Sequence, residues 1–250
     1  MNKYELLKKA KPILFNTEMV RAILDGRKTQ TRRVFSFEWL PHERKIMPEG
    51  FERYADTHIE KSKQGLWRGF YTVGGLTKGI GKFIKPKYKT GDILYVRETW
   101  CIGTKEEDDS PYKEYWYIGQ YKDSKSVFYK ASLDDQYSDE DCECKWKPSI
   151  HMPKKYARIF LKVTNVRVER LKDIKGSDIL SEGVSKYKNY NDFRNDNSPH
   201  DTKVFVGAIK KIEKDWINLW NSTAPEGYRW GNNPYVFVYE FEKMERNNVQ

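Results

Sequence analysis

The run Gly26-Arg27-Lys28-Thr29-Gln30-Thr31-Arg32-Arg33 sets cations and hydroxyls side by side. A lysine next to a hydroxyl lowers the energy of the alkoxide, and a lysine kept neutral by desolvation accepts the hydroxyl proton, so Lys28 and Thr31 form a candidate activator–nucleophile pair. Strict strand alternation puts them on opposite faces, so that chemistry needs Lys28 in the turn before the strand or on a bulge. The plainer reading is a basic strand whose arginines pair with nearby acids. Arg97-Glu98-Thr99-Trp100, at the end of another strand, supplies a charged pair and a ring on which a base can stack, or else an ordinary ion pair beside a core Trp. Trp146 to Pro153, which contains Ser149 and His151, is stiffened by its prolines and can hold side chains in place, or it is a plain connector. Glu182 is a candidate proton carrier or a surface carboxylate.

Other chemistries lose their usual support. Cys142, Cys144 and His151 do not have the paired spacing of structural zinc, and a further ligand is not evident, so no metal is expected. The chain has no Walker loop, GxGxxG, HExxH or GxSxG, the signatures of nucleotide hydrolases, dinucleotide-binding enzymes, zincins and α/β hydrolases. No cofactor is expected either.

The elements that must position these residues follow from periodicity and punctuation. Pro12 to Phe15 reads as a strand, Asn16 or Thr17 as the cap of a helix presenting Met19, Val20, Ile23 and Leu24, and Gly26 as its terminator before a strand from Thr29 to Val34. Ile93 to Glu98 is a strand after the turn at 89–92. Residues 114–119 and 126–131 read as a hairpin, and 134–143 as an acidic solvated loop. In 157–171 the apolar positions Ile159, Leu161 and Val163 resume at Val166 and Val168, which implies a β-bulge near Asn165. Ser177 caps a short helix through Glu182 that Gly183 ends, 185–202 is a polar loop, and Phe205, Ile209, Ile212, Trp216 and Trp220 mark an amphipathic helix. Tyr235 to Phe241 is a closing strand. Residues 36–88 show only a short strand near 67–73 and otherwise read as irregular.

The composition is that of a folded protein, 38% hydrophobic and 15% aromatic. Lys and Arg total 46 against 36 acids, a formal charge of +10, which draws polyanions such as RNA or DNA by long-range attraction. Three cysteines argue against a disulfide framework and for a reducing cytoplasm. No apolar run approaches the ~20 residues that span a bilayer, and the N-terminus lacks the features of a signal peptide, so no membrane partner is expected.

In their order, PILFNTEMVRAILDGRKTQTRR, TGDILYVRETW, WKPSIHMPKKYARIFLKVTNVRVERLKDI and ILSEGV resemble the ASCH family, especially its larger members from phage and prophage genomes. The match covers most of the chain, with insertions at about 36–88, 102–145 and 185–202. The resemblance implies an α+β fold, a PUA-like mixed β-barrel with surrounding helices in a single domain over 1–250, and a polar cleft for RNA or a modified nucleobase. Small bacterial members are amidohydrolases that deacetylate N4-acetylcytidine, and some relatives are credited with ribonuclease activity. Their catalytic Lys and Thr, in an RKTxTxR motif, and their Glu in a later short helix fall here on Lys28, Thr31 and Glu182. Arg27, Arg32, Arg33, Arg97, Glu98, Trp100, Ser149 and His151 would then contact the ligand. The insertions and the RETW and PSIHMP segments belong to the larger subgroup, so a shared cleft is better supported than a shared reaction. A non-catalytic nucleic-acid-binding module and a modulator of a host protein remain open.

Overall fold

A computed structural model describes residues 3–35, 56–73, 76–104, 125–133, 145–187, 190–196 and 202–244. The strands are β1 (Lys11–Leu14), β2 (Gln30–Val34), β3 (Asp56–Lys61), β4 (Trp67–Val73), β5 (Leu76–Ile84), β6 (Ile93–Arg97), β7 (Trp100–Thr104), β8 (Lys125–Tyr129), β9 (Phe160–Arg170) and β10 (Tyr235–Lys243). The helices are α1 (Lys3–Lys9), α2 (Thr17–Leu24), α3 (Gly176–Ser181), α4 (Tyr190–Asp196) and α5 (Thr202–Thr223).

The fold is mixed α+β, centred on a five-stranded sheet in the order β1-β6-β9-β10-β2. β1 runs parallel to β6, and the other pairs are antiparallel. Side-chain alternation splits this sheet into two apolar faces. Phe237 and Tyr239 of β10 join Ile13, Phe15, Val20, Ile23, Leu94 and Leu161 in the main core. Val236 and Val238 turn the other way, onto Leu171 and onto Trp216 and Trp220 of α5. The α5 stripe read from the sequence is buried chiefly toward its C-terminal end, since Ile209 remains 37% exposed.

The bulge expected near Asn165 is present. Glu240 pairs with Asn165 while the next residue, Phe241, pairs with Val163, so Thr164 is the extra residue. It returns Val166 to the same core that Val163 enters, and it bends the long β9–β10 ribbon around that core.

Several expectations are corrected. The sheet is not a closed barrel: among the described residues β1 and β2 are its two edges and share no ladder. Residues 56–73 and 76–84 are not irregular throughout but supply a three-stranded sheet, β3-β4-β5, with only β4 foreseen. Its Trp67 packs edge-on to Phe237 at 6.5 Å, which ties the insertion to the main core. Strand β8 pairs with β7, whereas 114–119, the hairpin partner expected from the sequence, lies outside the described residues, as does the acidic segment 134–143. The polar stretch 185–202 contains α4. Helix α3 is preceded by Lys175 at its N-cap with no side-chain cap, so Ser177 lies inside it. Among the described residues no helix is long and apolar enough to cross a membrane.

Candidate functional site

Helix α2 starts where Asn16 accepts a hydrogen bond from the Met19 amide at 2.8 Å, satisfying one of the free N–H groups of the first turn. It ends at Gly26, whose φ of +74° folds the chain back so that the amides of Arg27 and Lys28 both donate to the Ala22 carbonyl. Lys28 therefore sits in the turn, outside the regular strand. Its backbone forms an isolated antiparallel bridge with Glu182, and the Thr29 amide donates to the Ser181 carbonyl at 2.9 Å. The contact is close enough that position 183 must be glycine. Gly183 has a φ of +77°, and a β-carbon there would lie 2.7 Å from Lys28 Cβ and 2.8 Å from Ala22 Cβ.

This bridge brings Lys28 Nζ to 3.0 Å from Glu182 Oε2 and 2.8 Å from the Glu182 carbonyl. The lysine side chain is 0% exposed and that of Glu182 6%. Burial lowers the Lys28 pKa, against the opposing charge of Glu182, and the positive charges of Arg33 and Arg32 push it down further. The other carboxylate oxygen, Oε1, accepts from Arg32 Nη1 at 2.8 Å. Arg32 also donates to Glu169 and Asp178, and Arg167 extends the network to Glu169 and Glu240. Burial alone would lower the pKa of Arg32, but the carboxylates of Glu182 and Glu169 prevail and raise it.

Gln30 and Arg32 share one face of β2: Gln30 donates to the Asp178 carbonyl and the Arg32 guanidinium lies 6.0 Å from the Trp216 ring centroid. Thr31, Arg33 and Phe35 take the opposite face by alternation, where their β10 neighbours are Tyr239 and Phe237. The Lys28 ammonium reaches this second face, since Nζ and the Arg33 guanidinium carbon each lie 5.5 Å from the centroid of Phe15. Lys28 thus lies in the turn, as that pairing required, and its ammonium bonds to Glu182. Thr31 is 2% exposed. Tyr88 and Tyr239 stack edge to face at 5.1 Å on this side of the sheet, and burial pushes both phenols up to about 12, so both stay neutral.

The second group of expected residues gathers elsewhere. Glu98 is fully buried and held by Arg158 through two bonds, 2.9 and 2.8 Å. Trp100 is 4% exposed, packed 5.1 Å from the Tyr156 ring and covered by Lys147 Nζ at 4.9 Å. Ser149 and His151 form a 3-10 turn, with His151 exposed. Arg97 fastens that turn by donating to the carbonyls of Met152 and Ile150. Cys142 and Cys144 lie outside the described residues. Arg27 is bound to Asp25 and to the carbonyls of Gly183 and Ser185. It helps line a cavity of about 600 Å³ with Asp25, Glu182, Ser185, Lys186 and Leu219.

The sequence reading passed over Glu169, Asp178 and Arg167. Asp178 was within reach, because it stands four residues before Glu182 and so shares its helical face. Glu169 and Arg167 carry no such local signal; their role appears only when β9 is aligned with β2 across β10. No family model, curated protein or solved structure matches this chain.

Proposed function

We propose that this chain is an ASCH-type protein of the PUA-like class and that it binds a nucleobase-bearing ligand, RNA or a modified nucleoside, in a cleft walled by Lys28, Thr31 and Glu182. The observation that carries this reading is the contact between Lys28 and Glu182, 154 positions apart in the chain, on the very residues that the RKTxTxR resemblance points to. Holding an ammonium and a carboxylate out of water costs several kcal/mol per ion before their attraction repays it. Apolar residues would do the structural job at less cost, and strained charge placement of this kind concentrates at functional sites. The formal charge of +10 adds attraction for a polyanion.

Titration calorimetry with cytidine, N4-acetylcytidine and short single-stranded RNA tests the reading. Binding of at least one of them, weakened at least about 10-fold in Lys28→Met as befits a lost contact to a charged group, is the expected result. Failure of all three to bind at low salt refutes it.

A second reading, hydrolysis of an N4-acyl cytidine amide, draws support from the depressed pKa of Lys28. In it Thr31 attacks the acyl carbon as Lys28 takes its hydroxyl proton, Glu182 relays that proton to the amine as the C–N bond breaks, and water then cleaves the Thr31 ester to release the acid and restore the hydroxyl. Both Glu182 oxygens are already hydrogen-bonded, so the carboxylate must release Lys28 or Arg32 before it handles a proton. Binding is therefore the leading reading. Turnover of N4-acetylcytidine that survives in Lys28→Ala would remove hydrolysis by this set.

A further inference from the structure

We propose that the segment from Trp146 to Tyr156 is a nucleic-acid docking surface, on which Lys147, Lys154 and Lys155 take backbone phosphates of one strand. The surface is separate from the Lys28 cleft and does not rest on the nucleobase reading.

The charge of this segment is one-sided. From Lys145 to Val168 the chain contains no acid. Lys147 and Lys155 are exposed and Lys154 is half-buried, and among the described residues none of the three forms an ion pair. Arg158, further along the same stretch, is by contrast spent on Glu98. Aromatic rings hold the three ammonium groups instead. Lys147 Nζ stands 4.9 Å from the centroid of Trp100, Lys155 Nζ 4.9 Å from that of Tyr156, and Lys154 Nζ 5.3 Å from that of Tyr95. The Trp100 and Tyr156 rings are themselves in contact at 5.1 Å, and Tyr95 belongs to the same core cluster as Trp100. Lys147 and Lys155 therefore stand over two adjoining rings, close enough to serve one strand. A ring face attracts a cation without neutralising it.

The segment is irregular yet fixed in place. Pro148 and Pro153 each precede a 3-10 turn, and the main chains of Lys147 and Trp100 exchange hydrogen bonds of 2.8 and 3.2 Å. Arg97 holds the carbonyls of Ile150 and Met152, and the Tyr129 hydroxyl donates to the Tyr156 carbonyl. A loop fixed in this way presents its charges with little ordering cost on binding. The same bonds decide which polyanion fits. The main-chain carbonyls of residues 147–150, 152–154 and 156 each already accept a hydrogen bond, while the ammonium groups keep their donors and the indole N–H groups of Trp100 and Trp146 have no acceptor. An acidic peptide brings main-chain N–H groups that need acceptors. A phosphodiester strand brings anionic acceptors and no backbone donor, and lysines read its phosphates as point charges, whatever the sequence. The formal charge of +10 adds long-range attraction for such a strand.

The test is fluorescence anisotropy with short single-stranded RNA and DNA of one sequence, followed over a range of salt. The Lys147→Gln/Lys155→Gln protein should bind both strands about 10-fold or more weaker than the parent, with the slope of log affinity against log salt reduced by about 0.7 for each lost contact. The strand that the parent binds more tightly identifies the source of the phosphates as RNA or DNA. Lys147→Arg/Lys155→Arg, which keeps the charges, should retain the parent affinity. In the parent, either strand should move the Trp100 Nε1–H resonance, because Lys147 leaves the ring for a phosphate. Lys211→Gln/Lys214→Gln, at exposed positions of α5, removes the same charge elsewhere and should change little; equal losses in the two Gln doubles mean that only net charge matters and overturn the surface. Polyglutamate that displaces the labelled strand as well as unlabelled oligonucleotide does also overturns it, in favour of an acidic protein. Strand binding that is lost in Lys147→Gln/Lys155→Gln and intact in Lys28→Met leaves the surface standing and removes the base cleft. Binding of cytidine or N4-acetylcytidine without binding of either strand at low salt leaves the cleft and overturns the surface.

Discussion

Replacing Glu182 by Gln keeps the shape of the side chain and removes the charge that Lys28 was buried against. The lysine is then a fully enclosed ammonium that keeps one good acceptor, the Glu182 main-chain carbonyl at 2.8 Å. Removing one partner of a buried ion pair costs about 3–5 kcal/mol. The lower end applies, because Gln retains a carbonyl oxygen for Lys28 and because Arg32 still has Glu169 and Asp178. A loss of about 3 kcal/mol at about pH 7 corresponds to a fall in Tm of roughly 6–12 °C for a chain of this size. Urea unfolding followed by the fluorescence of the 8 Trp measures it directly.

The pH dependence gives a sharper check. Lys28 titrates below its ordinary 10.5 in the folded protein. Between that lowered value and 10.5 the unfolded chain binds more protons than the folded one, so stability rises with pH in that window. Without Glu182 the opposing attraction is gone and the folded pKa drops further, which widens the window downward. The deficit of Glu182→Gln should therefore shrink from about pH 7 to about pH 9.5, as the buried lysine sheds its proton. Adding Lys28→Met should restore much of the lost stability, because the uncompensated charge leaves with the lysine. A single variant within about 0.5 kcal/mol of the parent at neutral pH, the usual effect of a surface change, or a double variant no more stable than the single one, refutes the claim that a buried charge pair closes this site.

The glycine that admits the bridge should be far less replaceable than its neighbour: Gly183→Ala adds a clash with Lys28 and Ala22 to an unfavourable backbone and should cost about 2–4 kcal/mol. Gly26→Ala meets open space and should cost only about 1 kcal/mol, and equal losses in chemical unfolding would contradict the close-approach argument. Glu98→Gln leaves Arg158 without its paired carboxylate and should destabilise by about 2–4 kcal/mol with unchanged nucleoside affinity, whereas a selective loss of binding would return Glu98 to the ligand site. Trp100→Ala should cost about 3–5 kcal/mol as a core truncation, and a stable variant with weakened RNA binding would show instead that the ring stacks on a base.

What the sequence disclosed about this fold depended on whether a signal was local. The cap at Asn16, the turn at Gly26 and the bulge beside Asn165 are each written in a few adjacent residues, and each is where those residues imply. Strands β3 and β5 were missed because Asp56, Glu60 and Lys61 in the one and the Gly and Lys residues of the other carry little β propensity; the sheet draws on pairing between strands and on Trp67 against the core. The same distinction governs the site. Lys28 and Thr31 announce themselves within one motif, but the turn before β2, which carries the Lys28 ammonium onto Phe15 and into contact with Glu182, is not legible there. Arg32 and Arg33 are adjacent and chemically identical in the sequence. The strand sends one into a cage of Glu169, Asp178 and Glu182 and the other over the Phe15 ring, where it donates to the Leu14 carbonyl. A basic run therefore does not mark a uniformly basic surface. Three of its four cations, Arg27, Lys28 and Arg32, reach carboxylates, whereas the hydrogen bond of Arg33 goes to a main-chain carbonyl, so a binding assay that treats the run as one patch would average residues in different surroundings.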